Sequence, residues 1–215
     1  MFLQSAGDDY QTRNSIAQAN STVVASLAGY LSPGATVLEI GCGADQNLVA
    51  LEQLVPGIRC VGVDPSTSAI AAAKLRLPSH RFIVGSADDF AIEDCFDMVF
   101  FGFCLYVCDR PLLYAAVTRA DSALKGASSG EVGVFAIHDF DPVSPHRRAY
   151  SHHADVTTYK MDYSALFLAN PGYRLATKVS FGSSGNQSPS AADSNNRTAL
   201  WVLEKDFSSA YPLRD

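Results

Sequence analysis

Thr36-Val37-Leu38-Glu39-Ile40-Gly41-Cys42-Gly43-Ala44-Asp45 decides the fold of this chain. An apolar, β-type run ends beside an acidic residue, passes two glycines one residue apart, and turns through polar residues into a helix. Val37, Leu38 and Ile40 suit a strand buried on both faces, as in a parallel sheet covered by helices. Gly41 and Gly43 permit a sharp turn and bring bare backbone close to whatever lies over the strand end, where a Cβ would intrude. The combination predicts a nucleotide or nucleoside cofactor at the carboxyl end of the first strand of a doubly wound sheet.

What the stretch lacks narrows the cofactor. A dinucleotide fingerprint, G-x-G-x-x-G, would place a glycine where Gln46 stands, and a phosphate-binding P-loop would need a lysine that does not follow Gly43. The strand-Glu-x-Gly-x-Gly form resembles motif I of class I S-adenosyl-L-methionine (SAM)-dependent methyltransferases. The match departs at Asp45, where that family commonly has a third glycine. The resemblance implies that Glu39, Gly41, Cys42 and Gly43 belong to the cofactor site.

Further segments continue the likeness. Arg59-Cys60-Val61-Gly62-Val63-Asp64-Pro65-Ser66 is a second strand ending on an acid. Asp64 falls about 20 residues beyond the glycines, where doubly wound folds keep the carboxylate that accepts ribose hydroxyls. Two acceptor oxygens match two vicinal donors. Asp64 could instead merely cap the helix that starts at Pro65-Ser66, and an NAD enzyme would share it. Strand three, His80 to Val84, leads into Gly85-Ser86-Ala87-Asp88-Asp89-Phe90. This resembles the family's adenine-binding segment, with a backbone N–H near Ala87 and the carboxylate of Asp88 meeting the ring nitrogen and exocyclic amine. Strand four, Phe96 to Phe101, opens into Gly102-Phe103-Cys104-Leu105-Tyr106-Val107-Cys108-Asp109-Arg110 and resembles motif IV, whose strand end faces the transferring methyl. Phe101, Phe103 and Tyr106 are candidates to wall a sulfonium, since a ring face attracts a cation; an aromatic run also suits a core. Strand five, Val132 to Ile137, ends in His138-Asp139-Phe140-Asp141.

The resemblance covers residues 36–140 and implies a single domain over 1–206 with a tail at 207–215. The expected fold is α/β: one doubly wound sheet, mostly parallel, helices on both faces, closed by an antiparallel C-terminal hairpin (173–180 and 199–205). A helix over residues 12–31 would cap the cofactor site, with Tyr10 and Arg13 at the sulfonium and carboxylate ends of SAM, or simply begin in solvent. An insertion at 140–172 marks the acceptor side and is dense in proton carriers, His152 and His153 among them. The segments 103–110 and 159–164 are also similar to bacterial methyltransferases linked to sugar or surface-polysaccharide pathways.

Composition bounds the rest. At 215 residues and 47% hydrophobic, the chain can bury one sizeable core. No stretch has the length and apolarity of a membrane span, and the first residues lack a signal peptide's basic region. Five cysteines form neither a disulfide framework nor a zinc spacing, which suits free thiols in a reducing cytoplasm. A formal net charge of −6 argues against a nucleic-acid partner. The expected protein is cytoplasmic, monomeric or homodimeric, with no metal, although Asp139 and Asp141 invite a check for Mg²⁺.

The implied reaction is in-line transfer of a methyl group to an oxygen or nitrogen of a small-molecule or sugar acceptor, leaving S-adenosyl-L-homocysteine (SAH). Alignment of well-oriented reactants can supply about 7–11 kcal/mol of the barrier. A hydroxyl acceptor gains a further factor on the order of 10²–10⁴ from a base. His138 is the first candidate, with Asp139 to orient or replace it, then His152; Tyr106 completes the catalytic set. His138 could equally be satisfied within the core. A macromolecular, protein-directed methyltransferase and a non-catalytic SAM-binding protein are the alternatives.

Overall fold

The computed structural model describes residues 7–9, 19–93, 95–126, 131–151, 155–182, 194–208 and 210. A seven-stranded sheet runs β3(Arg81–Val84), β2(Arg59–Asp64), β1(Thr36–Ile40), β4(Met98–Gly102), β5(Gly133–Phe140), β9(Thr198–Lys205), β8(Tyr173–Phe181). The first five strands are parallel; β9 pairs antiparallel with both β5 and β8. Chain order reverses between β1 and β4, and in doubly wound sheets the crevice at that switch point receives the ligand. A separate hairpin, β6(His146–Ala149) with β7(Thr157–Lys160), lies in the 140–172 insertion.

Period-two alternation divides the core. Leu38, Ile40, Val99, Phe101, Phe135 and Ile137 pack on one face, with Leu113 and Ala120 of helix Arg110–Ala123 and Phe167 of helix Ala165–Leu168. Val37, Cys60, Met98, Phe100 and Ala136 pack on the other, with helices Ser21–Ala28, Gln46–Leu54 and Thr67–Arg76. Apolar residues on successive positions are what a strand covered on both faces requires. No helix among the described residues is long and apolar enough to cross a membrane.

Three boundaries differ from the sequence reading. The described part of the 12–31 helix is Ser21–Ala28, begun by Asn20, whose Oδ1 accepts from the N–H groups of Thr22 and Val23. Strand β5 runs on to Phe140 because Thr198, Ala199 and Leu200 pair with Phe140, Asp139 and His138. The 207–215 segment is not wholly a tail, since Phe207 packs against Tyr173 at 6.4 Å between ring centroids.

Candidate active site

A cavity of about 270 Å³ opens over the carboxyl ends of β1, β2, β4 and β5. Its floor is the turn after β1. Gly41 and Gly43 have φ of 77° and 52°. A Cβ on Gly41 would stand 2.5 Å from that of Cys104, so only glycine fits between the two strand ends. Asp45, in place of the third glycine, holds the same left-handed conformation at φ 69°. Asp tolerates this region better than most residues. Its side chain leaves the pocket for Arg76, 2.7 Å away, rather than capping the helix it precedes. Burial pushes its carboxyl up to about 6 despite the guanidinium.

The N–H groups of this turn are committed within the protein. Those of Gly41 and Cys42 donate to the Val63 carbonyl at 2.8 and 3.1 Å, that of Asp45 to Cys42 at 2.9 Å, and that of Gly43 to Asp64 Oδ2 at 2.9 Å. A pyrophosphate would need such donors turned toward it. Asp64, at the end of β2, also accepts from the Ser66 N–H at 2.9 Å. It thus serves helix Thr67–Arg76 and lines the cavity at once, and each oxygen keeps a second lone pair. Burial raises its pKa, and the two N–H donors pull it back. Pro65, Ala87 and Asp88 line the same end, joined by Cys108 and Asp109 of the motif IV-like stretch and by Leu112, which carried no motif signal. Arg119 fixes the segment 88–90 by donating to the Asp88 and Phe90 carbonyls at 2.9 and 2.7 Å.

Glu39 does not reach the cavity surface. It is wholly buried behind Gly102, where any Cβ would overlap its carboxylate. Its Oε1 accepts from Asn47 at 2.7 Å, and Asn47 does line the pocket. Oε2 is buried without a partner among the described residues, and desolvation pushes the pKa up to about 8. Asn47 and Gln46 could have been found by their place in the first turn of the helix after Gly43. Tyr10 and Arg13 lie outside the described residues, although Gly7, Ala19 and Asn20 line the pocket on either side of them. Asp8 ties the leading segment to the cofactor side through Ser66 Oγ at 2.5 Å and Ser68 Oγ at 2.7 Å.

At the opposite end the wall is aromatic. Phe103 and Tyr106 line the cavity with ring centroids 5.1 Å apart, and Phe103 also lies 5.0 Å from Phe140 and 5.2 Å from His138. Phe103 has φ 59°, a costly conformation for an aromatic residue and one that concentrates at functional sites. Phe101 is not part of this wall. It points into the core against Phe135, because the strand alternation that turns Gly102 toward the cavity turns Phe101 away.

His138 and Asp139 are separated by the same alternation. His138 lines the pocket; its Nε2 is buried without a partner among the described residues, and burial lowers its pKa to about 4. The imidazole is therefore neutral at pH 7 and a weak proton acceptor. Asp139, wholly buried on the other face, neither orients His138 nor meets the cavity. Its Oδ2 accepts from the N–H groups of Leu105 and Tyr106 at 3.0 and 3.2 Å, and its Oδ1 from that of Phe140 at 2.7 Å. Desolvation pushes it up to about 7 against those three donors. It anchors the short 3₁₀ turn Leu105–Val107 that carries Tyr106.

Asp141 pairs instead with Lys178 at 3.1 Å and Arg197 at 3.4 Å. Among the described residues no group of three His, Cys, Asp or Glu is arranged for a metal ion. His152 lies outside the described residues; the insertion that carries it approaches the site through Tyr150, 6.5 Å from Tyr106.

Comparison with known proteins accords with this arrangement. Residues 37–127 match the family described as a methyltransferase domain. The chain is 32% identical over 110 residues to an uncharacterized methyltransferase of Synechocystis, covering 51% of this chain and 49% of that protein. Over 64 residues it is 31% identical to trans-aconitate 2-methyltransferase of Escherichia coli, covering 30% of this chain and 25% of the enzyme. The chain thus matches half or less of the length of these curated relatives. Its fold is similar to that of the 1,6-didemethyltoxoflavin N1-methyltransferase of Burkholderia thailandensis, with a TM-score of 0.70 at 18% identity over 94% of this chain and 85% of that one. It is also similar to a Haloferax volcanii complex of the Trm112 methyltransferase activator with its putative methyltransferase, at 0.68 and 17% over 99% of both chains.

Proposed function

Because residues 37–127 form a methyltransferase domain on a class I fold, we propose that the chain transfers the methyl group of SAM to an oxygen or nitrogen of a small-molecule acceptor, leaving SAH. The observation that carries this reading is the Asp64 carboxylate, held by the Gly43 N–H over the switch point with lone pairs free for vicinal hydroxyls. The committed N–H groups of the glycine turn favour a nucleoside over a pyrophosphate. Two structures of similar fold, the Burkholderia enzyme and the N-methyltransferase NodS of Bradyrhizobium japonicum, were determined with SAH, and the former also holds a small molecule, 1,6-didemethyltoxoflavin.

In this reading Gly41, Cys42 and Gly43 pass beneath the ligand, Asp64 and Pro65 take the ribose, and Ala87 and Asp88 take the adenine. Phe103 and Tyr106 wall the methyl end and keep water from it. Bound SAM supplies a methyl carbon already activated by its sulfonium, so the residues contribute chiefly alignment. Five free cysteines accord with a reducing compartment, and a cytoplasmic location belongs to the same proposal.

Calorimetric titration with SAH and with NAD tests the reading. SAH should bind and NAD should not, and Asp64→Ala should weaken SAH about a hundredfold, the loss of two charge-assisted hydrogen bonds. Unchanged affinity in the variant would sink the ribose assignment. Incubation of methyl-labelled SAM with a fractionated extract then separates a small-molecule acceptor from a protein acceptor, and either from a non-catalytic binder.

A further inference from the structure

The aromatic end of the cavity, taken with the methyl-transfer reading on which this rests, narrows the acceptor: we propose an uncharged nitrogen heteroaromatic that brings its own nucleophile, a ring-nitrogen lone pair, and is positioned by Phe103 and Tyr106.

Shape is the first reason. Phe103, Tyr106, Val107 and His138 line the cavity over the ends of β4 and β5, with Phe140 behind them at 5.0 and 5.1 Å from the first two rings. Ring faces and edges at this spacing accept a flat partner by offset or edge-on packing. A sugar would bring several hydroxyls to a wall with few polar groups, and each one left unpaired would cost about 1–3 kcal/mol.

Charge is the second. The charged side chains lining the whole cavity, among the described residues, are Asp64, Asp88 and Asp109; no lysine or arginine joins them. The cations nearby among the described residues are engaged elsewhere. Arg110 donates to the Leu105 and Cys108 carbonyls and stacks on Tyr159 at 4.4 Å. Lys160 donates to Asn196 and lies 3.6 Å from the centre of the Phe140 ring. Lys178 and Arg197 pair with Asp141. A polycarboxylate acceptor would meet carboxylates and rings.

The third reason is the lack of a base titrating near neutral pH among the described side chains of the aromatic end. An aliphatic hydroxyl must lose its proton to attack, and that requires a group titrating near pH 7. His138 titrates too low, the Cys42 and Cys104 thiols are pushed up by burial, and Asp139 faces the other side of the sheet. A ring nitrogen needs no such help. Its lone pair attacks the methyl carbon as the carbon–sulfur bond breaks and that bonding pair stays on sulfur. The positive charge passes from sulfonium to the methylated ring, which releases a proton to water where it carried an N–H.

The full chain tests this with four probes: benzimidazole, quinazolin-4-one, methyl glucoside and trans-aconitate. Each is titrated into the SAH-loaded protein and separately offered as acceptor with methyl-labelled SAM. The heterocycles should bind at least about tenfold tighter than the other two and alone take label, with benzimidazole transfer flat across neutral to mildly alkaline pH. Phe103→Leu should raise the KM for benzimidazole about tenfold while SAH, which lacks the methyl group these rings wall, loses less than about threefold in affinity; Tyr106→Leu gives the same readout should the first variant fail to fold. Equal or tighter binding of the glucoside or trans-aconitate, label on either, a pH profile rising with a single enzyme base, or no binding of any probe to the loaded protein would overturn the proposal. If SAH itself fails to bind the wild type, the methyl-transfer reading falls instead.

Discussion

Over β1 and β2 the cavity wall is mostly backbone, a left-handed glycine turn fastened by its own N–H groups to Val63 and Asp64; over β4 and β5 it is side chain, rings at positions 103, 106 and 138 brought together from separate segments. The first half is set by short-range spacing and holds its form through hydrogen bonds between adjacent strands. The second depends on one buried carboxylate, Asp139, reaching 34 and 33 residues back in the chain to the turn that carries Tyr106. A cofactor shared by many enzymes suits the rigid half, and a particular acceptor suits the half that few substitutions could reshape.

The sharpest way to break this comparison is Asp139→Leu. It strands two buried N–H groups and one part-buried one at about 1–3 kcal/mol each, so chemical unfolding should show a loss on the order of 4 kcal/mol. Methyl transfer should collapse while SAH affinity changes less than about threefold; a parallel fall in both would show that the halves are one unit. Gly41→Ala attacks the other side. A left-handed alanine whose Cβ stands 2.5 Å from that of Cys104 should cost about 2–4 kcal/mol and weaken SAH and acceptor alike.

Glu39→Gln sharpens the comparison through pH. The Glu39 carboxyl rises from 4.5 to about 8 on folding, so its contribution is present below pH 4.5 and lost as pH climbs through 8. Urea unfolding should find the variant close to wild type at pH 5 and increasingly more stable than wild type as pH rises toward 8. The smallest effect belongs to Asp45→Gly. Glycine relieves the left-handed backbone and gives up the half-exposed Arg76 pair, so stability should stay within about 1 kcal/mol.

The same contrast governs what the sequence discloses. The glycine turn, Asp64 and the Ala87-Asp88 segment were legible because strand, turn and acid follow one another locally. Phe101 was not, because β4 is apolar on both faces and its period-two phase is fixed only by pairing with β1 and β5. Asp139 was misread because β5 looks finished at Ile137 until Leu200, Ala199 and Thr198 extend it, and that extension puts His138 and Asp139 on opposite faces. Asp45 conceals a glycine-like backbone behind a charged letter. Glu39, which the motif resemblance puts in the cofactor site, sits in β1 behind the cavity wall, and that position depends on Gly102, 63 positions later.

The position of β9 has a consequence for the order in which the molecule comes into being. β9 follows β8 in the chain yet lies between β5 and β8, so the outer edge of β5 has no neighbour until Thr198–Lys205 has emerged. Up to that moment the backbone of His138, Asp139 and Phe140 is an open edge, and β8 has no place in the sheet. A nascent chain can therefore pair β1 with β2 and β4 while β5 still lacks its flanking strand. Translation slowed before β9 has emerged would leave that edge exposed to strands of other chains.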